Sequence, residues 1–214
     1  MNKKYLKFFL LIIVFFIVSI WVITIIQGKM PYTDQWTRRF VESLAHSKLY
    51  IYARWITELG SYTFLIPFTI VMGILLWRIY CDWFPAFIFS GGTLMSHLLN
   101  VFVKNLVTRG RPSIFIEAHA IGYSFPSGHA MISIVCYGLL IYFLQKKLTN
   151  RKHIILMQIG FSLLIFLIGM SRYIINVHYL TDVLSGFGFG YVLLMCFIYI
   201  FERIQHLNVR TFRK

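Results

Sequence analysis

The sequence predicts an all-α membrane protein, a single bundle of six transmembrane helices over residues 1–214. Apolar residues make up 58% of the chain and charged residues 13%, and the mean hydropathy is +0.72. A soluble domain of this size carries far more charge. A helix needs roughly 20 apolar residues to cross a bilayer, and the chain has six candidate stretches. They are residues 6–26, 62–77, 84–103, 129–144, 153–170 and 179–201.

The first span follows Lys3, Lys4 and Lys7, as the apolar core of a signal peptide does. Its apolar stretch is too long for a signal peptide, however, and no A-x-A-like cleavage site follows it. We therefore expect a retained signal anchor. The second span contains Pro67, which a helix interior tolerates poorly, so its limits are less sharply marked.

Residues 33–60, between the first two spans, predict one or two helices at the outer interface. Thr33 or Asp34 can cap a helix, and Trp36, Phe40 and Leu44 recur at helical spacing. This pattern is typical of an amphipathic interfacial helix that could guide lipid to a site. A packed connector between spans explains it equally well.

Basic residues favour an orientation with both termini in the cytoplasm. In that orientation the inner loops and ends carry twelve of the 21 Lys and Arg residues. These are Lys3, Lys4, Lys7, Arg78, Lys146, Lys147, Arg151, Lys152, Arg203, Arg210, Arg213 and Lys214. The other nine are Lys29, Arg38, Arg39, Lys48, Arg54, Lys104, Arg109, Arg111 and Arg172. We attribute the net charge of +14 to topology and not to nucleic-acid binding.

Two further sets of residues carry weaker signals. His97, Asn100 and Lys104 share a face of the third span and could form the inner wall of a site or hydrogen bonds between helices. The three cysteines, Cys81, Cys136 and Cys196, have no C-x-x-C spacing. We expect them to be buried small apolar residues.

Polar residues collect at the predicted outer ends of four spans, where alternating span direction brings them to one side. The first cluster is Lys104, Arg111 and Pro112, and the second is Pro126, Ser127, Gly128 and His129. The third is Ser171, Arg172, His178 and Asp182. Ionisable groups are costly in a membrane, so their common location predicts a functional site.

The charge of these clusters suits a phosphate group. Arg111 and Arg172 can offer paired donors to phosphate oxygens, and Lys104 adds a point charge. The amides of Ser127, Gly128 and His129 add donors at the positive end of a helix. Such donors also stabilise the charge that develops during phosphoryl transfer.

The histidines predict covalent catalysis. Asp182 lies four residues after His178, so on one helix it could orient that imidazole for attack on phosphorus. His129 could protonate the leaving oxygen and later activate water. A metal bound by His129, His178 and Asp182 is the alternative, but three nearby cations would repel it. We therefore predict neither a metal nor a cofactor.

These residues resemble the motifs of the type 2 phosphatidic acid phosphatase superfamily. K-x6-R-P stands at residues 104–112, P-S-G-H at 126–129 and S-R-x5-H-x3-D at 171–182, with no departure from the pattern. The resemblance implies a six-helix core whose site faces away from the cytoplasm. It also implies His178 as nucleophile with Asp182 as its partner and His129 as acid. The compact layout is most similar to bacterial members of the phosphatidylglycerophosphatase B and undecaprenyl pyrophosphate phosphatase type.

The sequence therefore predicts a multi-pass plasma-membrane enzyme that hydrolyses a lipid phosphate on the outer face without a metal. Undecaprenyl pyrophosphate, phosphatidylglycerophosphate and phosphatidate are the candidate substrates, and the bilayer is the expected partner. A phosphotransferase, a phospholipid-binding or transport module and a structural scaffold are the alternatives, and a haloperoxidase is disfavoured. Glu117, His119 and Tyr123, between the first two motifs, could contact the head group or lie in a plain surface loop.

Overall fold

The computed structural model describes residues 3–44, 47–112 and 122–211, and these ranges contain eight α-helices and no strand. The helices are α1 (Lys3–Ile26), α2 (Tyr32–Leu44), α3 (Lys48–Glu58), α4 (Tyr62–Tyr80), α5 (Trp83–Val107), α6 (Gly128–Gln145), α7 (Arg151–Ile174) and α8 (Leu180–Thr211). The prediction of an all-helical chain is confirmed.

Five of these helices are long and apolar enough to cross a membrane, namely α4 to α8. Helix α1 is 24 residues long, and within the described part of the chain its apolar stretch is Phe15–Ile26. A sixth span in α1 and the cytoplasmic location of both termini therefore stay predictions. Pro67 lies inside α4, which continues through it.

Two helix boundaries differ from the prediction in ways that matter for the site. Helix α7 extends to Ile174, so Arg172 lies in its last turn and not in a loop. Helix α8 begins at Leu180, so His178 precedes it. The prediction that His178 and Asp182 share a helical face was wrong. They still meet, because the chain bends back onto the first turn of α8.

Residues 33–60 form most of two helices, α2 and α3, in agreement with the prediction of one or two helices. Trp36 and Phe40 on α2 are exposed, whereas Val41 is buried on the side that faces the bundle. Helix α2 thus has large apolar residues on its outward side, and its location at the membrane interface stays a prediction. The capping role of Asp34 was wrong, because its buried carboxylate points into the bundle and binds Arg109.

Helix α6 lies at the centre and packs against α5, α7 and α8. Small residues let the backbones of α6 and α8 approach closely, as is usual where transmembrane helices touch. A Cβ at Gly186 would lie 2.6 Å from the carbonyl oxygen of Ser127, and one at Gly190 would lie 2.6 Å from that of Met131. This contact holds the start of α6 against the first turns of α8.

Two further predictions need correction. His97 is exposed on the outer surface of α5, while Asn100 is buried, so the predicted polar stripe does not face inward as a whole. Three residues rotate an α-helix by about 300°, so the border between the lipid-facing and the bundle-facing side of α5 passes between His97 and Asn100. Cys136 is buried as expected, but Cys81 and Cys196 are exposed, because they lie beside α4 and on the outer side of α8.

Candidate active site

The three polar clusters meet at one end of the bundle. Helices α5 and α7 end there, and α6 and α8 begin there. His129 lies in the electrostatic field of Arg172, His178, Arg111 and Lys104. His178 in turn lies in the field of Arg172, Lys104 and Arg111. The side chains predicted from four different spans therefore surround one site.

His178 is buried and held from both ring nitrogens. Its Nδ1 lies 3.4 Å from Oδ2 of Asp182, and its Nε2 lies 3.3 Å from Nη1 of Arg111. A guanidinium can only donate hydrogen bonds, so Nε2 must accept from Arg111. The proton of a neutral imidazole then sits on Nδ1 and is donated to Asp182. This tautomer leaves the Nε2 lone pair directed towards the cations of the site.

The surroundings keep this imidazole neutral. Burial lowers the pKa of His178 well below its usual value of 6.5, and the charges of Arg172, Lys104 and Arg111 lower it further. At neutral pH the ring is therefore unprotonated. Burial also lowers the pKa of Arg111, and nearby Asp182 partly offsets the effect.

Each of the three cations is anchored by the protein. Arg111 donates from Nε to the carbonyl of Gly122 at 2.8 Å and from Nη1 to that of Val177 at 2.9 Å. Lys104 donates to the carbonyl oxygens of Tyr123 and Ser124. These bonds fix the two side chains before any substrate arrives.

Arg172 is anchored from a different helix. Its Nη1 donates to Oγ1 of Thr57 on α3 at 3.0 Å, while its buried Nε has no partner among the described residues. A buried guanidinium hydrogen without an acceptor is costly. It marks a place where an anion fits.

The turn that opens α6 offers a second set of donors, but not the full set predicted. The amide of Ser127 donates to the carbonyl of Asp182 at 3.0 Å and is not available to a phosphate. The Ser127 hydroxyl is buried and has no partner in the described part of the chain. The amides of Gly128 and His129 lie in the first turn, where no intrahelical acceptor exists.

Gly128 has a packing role that the sequence did not predict. A Cβ at this position would lie 2.9 Å from Oδ1 of Asn100. The Asn100 amide donates to the carbonyl of Pro126 at 3.2 Å. Helix α5 thus supports the turn through Asn100, and only glycine leaves room for that side chain.

His129 packs against the turn between α3 and α4. A Cβ at Gly60 would lie 3.0 Å from Cδ2 of His129, 2.4 Å from Cγ2 of Ile168 and 3.2 Å from Oγ of Ser133. The absence of a side chain at Gly60 therefore defines the position of the imidazole.

Sequence reasoning missed a buried ion-pair network beside His178. Arg109 donates from Nη1 to Oδ1 of Asp182 at 2.6 Å and from Nη2 to Oδ2 of Asp34 at 2.7 Å. Both carboxylates are fully buried. Arg109 lies inside the K-x6-R-P segment. The chain has only 7 acidic residues against 21 basic ones, and this scarcity could have drawn attention to Asp34 as the partner of a buried cation. No feature of the sequence indicated that Thr57 would be the partner of Arg172.

The metal-site alternative and the residues between the first two motifs remain to be compared with the structure. His129, His178 and Asp182 are not among any group of three or more metal-ligating side chains in the described ranges. Tyr123 is partly exposed and contributes its backbone carbonyl to Lys104. Glu117 and His119 lie outside the described residues.

Comparisons with known proteins identify the family of this chain. The family model of the PAP2 superfamily matches residues 85–205. Phosphatidylglycerophosphatase B of Bacillus subtilis (strain 168) is 34% identical over 145 residues, which cover 64% of this chain and 68% of that protein. Dolichyldiphosphatase of Saccharomyces cerevisiae is 28% identical over 159 residues, 71% of this chain and 66% of that protein.

A solved structure shows the same fold. It is the crystal structure of a transmembrane PAP2 type phosphatidylglycerolphosphate phosphatase from Bacillus subtilis, with a TM-score of 0.77 and 26% identity. The match covers 87% of this chain and 95% of that one. The chain therefore belongs to the PAP2 superfamily of membrane lipid phosphatases.

Proposed function

We propose that this protein hydrolyses a lipid mono- or diphosphate through attack of His178 Nε2 on phosphorus, at the outer face of the plasma membrane. The observation that carries the proposal is the state of His178. Its Nε2 accepts from Arg111 and its Nδ1 faces Asp182, so the nucleophilic lone pair is free of a proton and fixed in direction.

The donors around His178 fit one phosphate group. Arg172 and Ser127 each keep a buried polar atom that has no partner among the residues the structure describes, and Arg111 and Lys104 are already held in place by backbone carbonyls. Phosphate oxygens would satisfy these donors. Because the donors are fixed in advance, they also stabilise the charge of the transition state.

The reaction then has two balanced steps. In the first, a bond forms between His178 Nε2 and phosphorus while the bond from phosphorus to the leaving oxygen breaks, and His129 gives its proton to that oxygen. In the second, a water oxygen bonds to phosphorus as the bond to Nε2 breaks, and His129 takes a proton from the water. The enzyme returns to its starting state, and the products are inorganic phosphate and the dephosphorylated lipid, or the lipid monophosphate from a diphosphate.

A groove beside the site supports a lipid as the substrate. It has a volume of about 490 Å³, and its lining includes the polar residues Arg109, Arg111 and Tyr179 and the apolar residues Ile25, Ile26 and Leu106. A phosphate ester of a lipid has the same division into a charged head and an apolar chain. Two relatives are named phosphatidylglycerophosphatase B and dolichyldiphosphatase, so a lipid monophosphate and a lipid diphosphate are both candidate substrates for this chain.

The charge distribution supports the outer face. With the site outside, the inner loops and ends carry the larger share of Lys and Arg residues, as the positive-inside tendency requires. Three of the remaining cations, Lys104, Arg111 and Arg172, are bound into the site and need no topological explanation.

The test is phosphate release by the purified protein from undecaprenyl pyrophosphate, phosphatidylglycerophosphate and phosphatidate in excess chelator. We expect release from at least one lipid, and loss of about 10³-fold or more in His178→Ala. His97→Ala is the matched control, because His97 is an exposed histidine of α5 and should leave the rate unchanged. Inactivity on all three lipids by a folded protein would refute the proposal. A phosphorylated acceptor in place of free phosphate would identify a transferase instead.

A further inference from the structure

The buried network of Arg109 and Asp34 lies directly behind the catalytic pair. Arg109 also lines the groove beside the site, where its guanidinium carbon lies 3.9 Å from the centre of the Tyr179 ring. Arg109 divides its guanidinium among three acceptors. One arm reaches Oδ1 of Asp182 at 2.6 Å and Oγ1 of Thr181 at 2.9 Å, and the other reaches Oδ2 of Asp34 at 2.7 Å. The side chain of Arg109 is 8% exposed.

Because Arg109 binds both Asp182 and Asp34, it determines which carboxylate oxygen of Asp182 faces His178. Arginine and carboxylate usually pair through two parallel hydrogen bonds, which would occupy both oxygens of Asp182. Here Asp34 takes the second arm of Arg109, so only Oδ1 of Asp182 is engaged. Oδ2 accepts from the Tyr179 amide at 3.0 Å and remains in reach of His178 Nδ1.

Asp34 is itself held by the first turn of α8. Its Oδ1 accepts from the amide of Thr181 at 3.0 Å and its Oδ2 from the hydroxyl of Thr181 at 2.6 Å. Asp34 belongs to α2, the helix whose Trp36 and Phe40 are exposed outward. The interfacial helix thus completes the support of the catalytic carboxylate.

We propose that Arg109 and Asp34 are positioning residues that fix the orientation of Asp182 and set the basicity of His178. The proposal rests on the proposed function, in which His178 is the nucleophile. It also assigns α2 a role in catalysis beyond guiding lipid.

The charges predict opposite effects for the two neutral variants. Asp34→Asn leaves the charge of Arg109 less compensated, so protonation of His178 becomes harder and its pKa falls. Arg109→Gln removes a cation beside Asp182, so the pKa of His178 rises. The other charged or titratable groups facing His178 are the same in both variants. They are Asp182, Arg111, Arg172, Lys104 and His129, together with Arg38 and Tyr179, which line the same cavity as His178.

The first experiment measures the pH dependence of kcat/KM. The acid limb should move to lower pH in Asp34→Asn and to higher pH in Arg109→Gln. The value of kcat should fall about 10- to 100-fold in each with little change in KM, as second-layer partners of a catalytic group usually show. Arg109→Lys keeps the positive charge but loses the planar guanidinium that binds Asp182 and Asp34 at once. We therefore expect a lower kcat, with the acid limb of the pH profile unchanged.

Controls come from the same helix. Glu42 and Arg39 are exposed on α2, and Glu42→Gln and Arg39→Gln change the same charges outside the network. Neither should alter kcat or the pH profile. A structural role for Arg109 and Asp34 would lower the yield of folded protein without moving the acid limb in opposite directions.

A second measurement needs no turnover. NMR titration of ¹³C-labelled histidine gives the pKa of His178, with its resonance assigned by its loss in His178→Gln. Opposite shifts in the two variants would support the inference even if no tested lipid were hydrolysed, which would count against the proposed function alone. Shifts that are absent or of the same sign in folded variants would overturn the inference and leave the proposed function intact.

Discussion

A methyl group added at Gly60 should displace the proposed acid, His129, without itself contacting a phosphate-binding residue. In Gly60→Ala the new Cβ would lie 2.4 Å from Cγ2 of Ile168 and 3.0 Å from Cδ2 of His129. To restore an ordinary contact of 3.4 Å, Ile168 must move by about 1 Å and His129 by about 0.4 Å. Cγ2 of Ile168 is attached directly to Cβ and cannot swing away.

The size of the effect follows from these displacements. Overpacking of this kind costs about 1–3 kcal/mol in stability. A misplacement of about 1 Å costs about 10²-fold in rate, and His129 moves less. Ile168 also lies one turn before Arg172 on α7. We therefore expect kcat/KM to fall about 10- to 100-fold.

The assay is phosphate release from lipid in detergent micelles, with thermal unfolding measured on the same preparations. Gly160→Ala is the matched control. Gly160 lies on α7, and a Cβ there has no atom within 4 Å, so its activity should equal that of the wild type. Wild-type activity in Gly60→Ala would refute the placement of His129 against this turn.

Three further predictions concern the donors and the nucleophile. Ser127→Ala should lower kcat/KM about tenfold without loss of stability, because the buried hydroxyl has no partner in the described residues. A melting temperature below that of the wild type would contradict this. Thr57→Val should raise KM several-fold by releasing Nη1 of Arg172, and unchanged substrate affinity would show that Arg172 is held by other means. The acid limb of kcat/KM should lie below pH 6.5, because the pKa of His178 is lowered. An acid limb above pH 6.5 would contradict the inference that His178 is neutral at pH 7. The lowered pKa also makes the free energy of unfolding decrease as pH falls below 6.5, since only the imidazole of the unfolded chain then takes up a proton.

The polar residues that meet at the candidate site were easier to predict from the sequence than the contacts that hold them. Lys104, Arg111, Arg172, His129 and His178 could be found because ionisable residues at the ends of apolar spans are conspicuous. Their convergence followed from alternating span direction alone. The contact between His178 and Asp182 was predicted for the wrong reason, since His178 precedes α8.

The residues that were missed depend on tertiary contacts that a linear pattern does not encode. Asp34 looked like a helix cap, because an acid at the start of a helix is usually one. Its actual partner, Arg109, is 75 residues away in the sequence. Gly60 carries no side chain to attract notice, and His97 and Asn100 differ in burial although they lie three residues apart on one helix. The local sequence cannot show which part of a helix will meet a neighbour.

The central claim is that His178 and His129 flank one phosphorus atom. An experimental structure with bound orthovanadate tests it most directly. We expect vanadium within bonding distance of His178 Nε2, its oxygens on Arg111, Arg172, Lys104 and the Ser127 hydroxyl, and His129 within hydrogen-bond reach of the apical oxygen. Vanadate bound away from His178, or with His129 out of reach of its oxygens, would contradict the account.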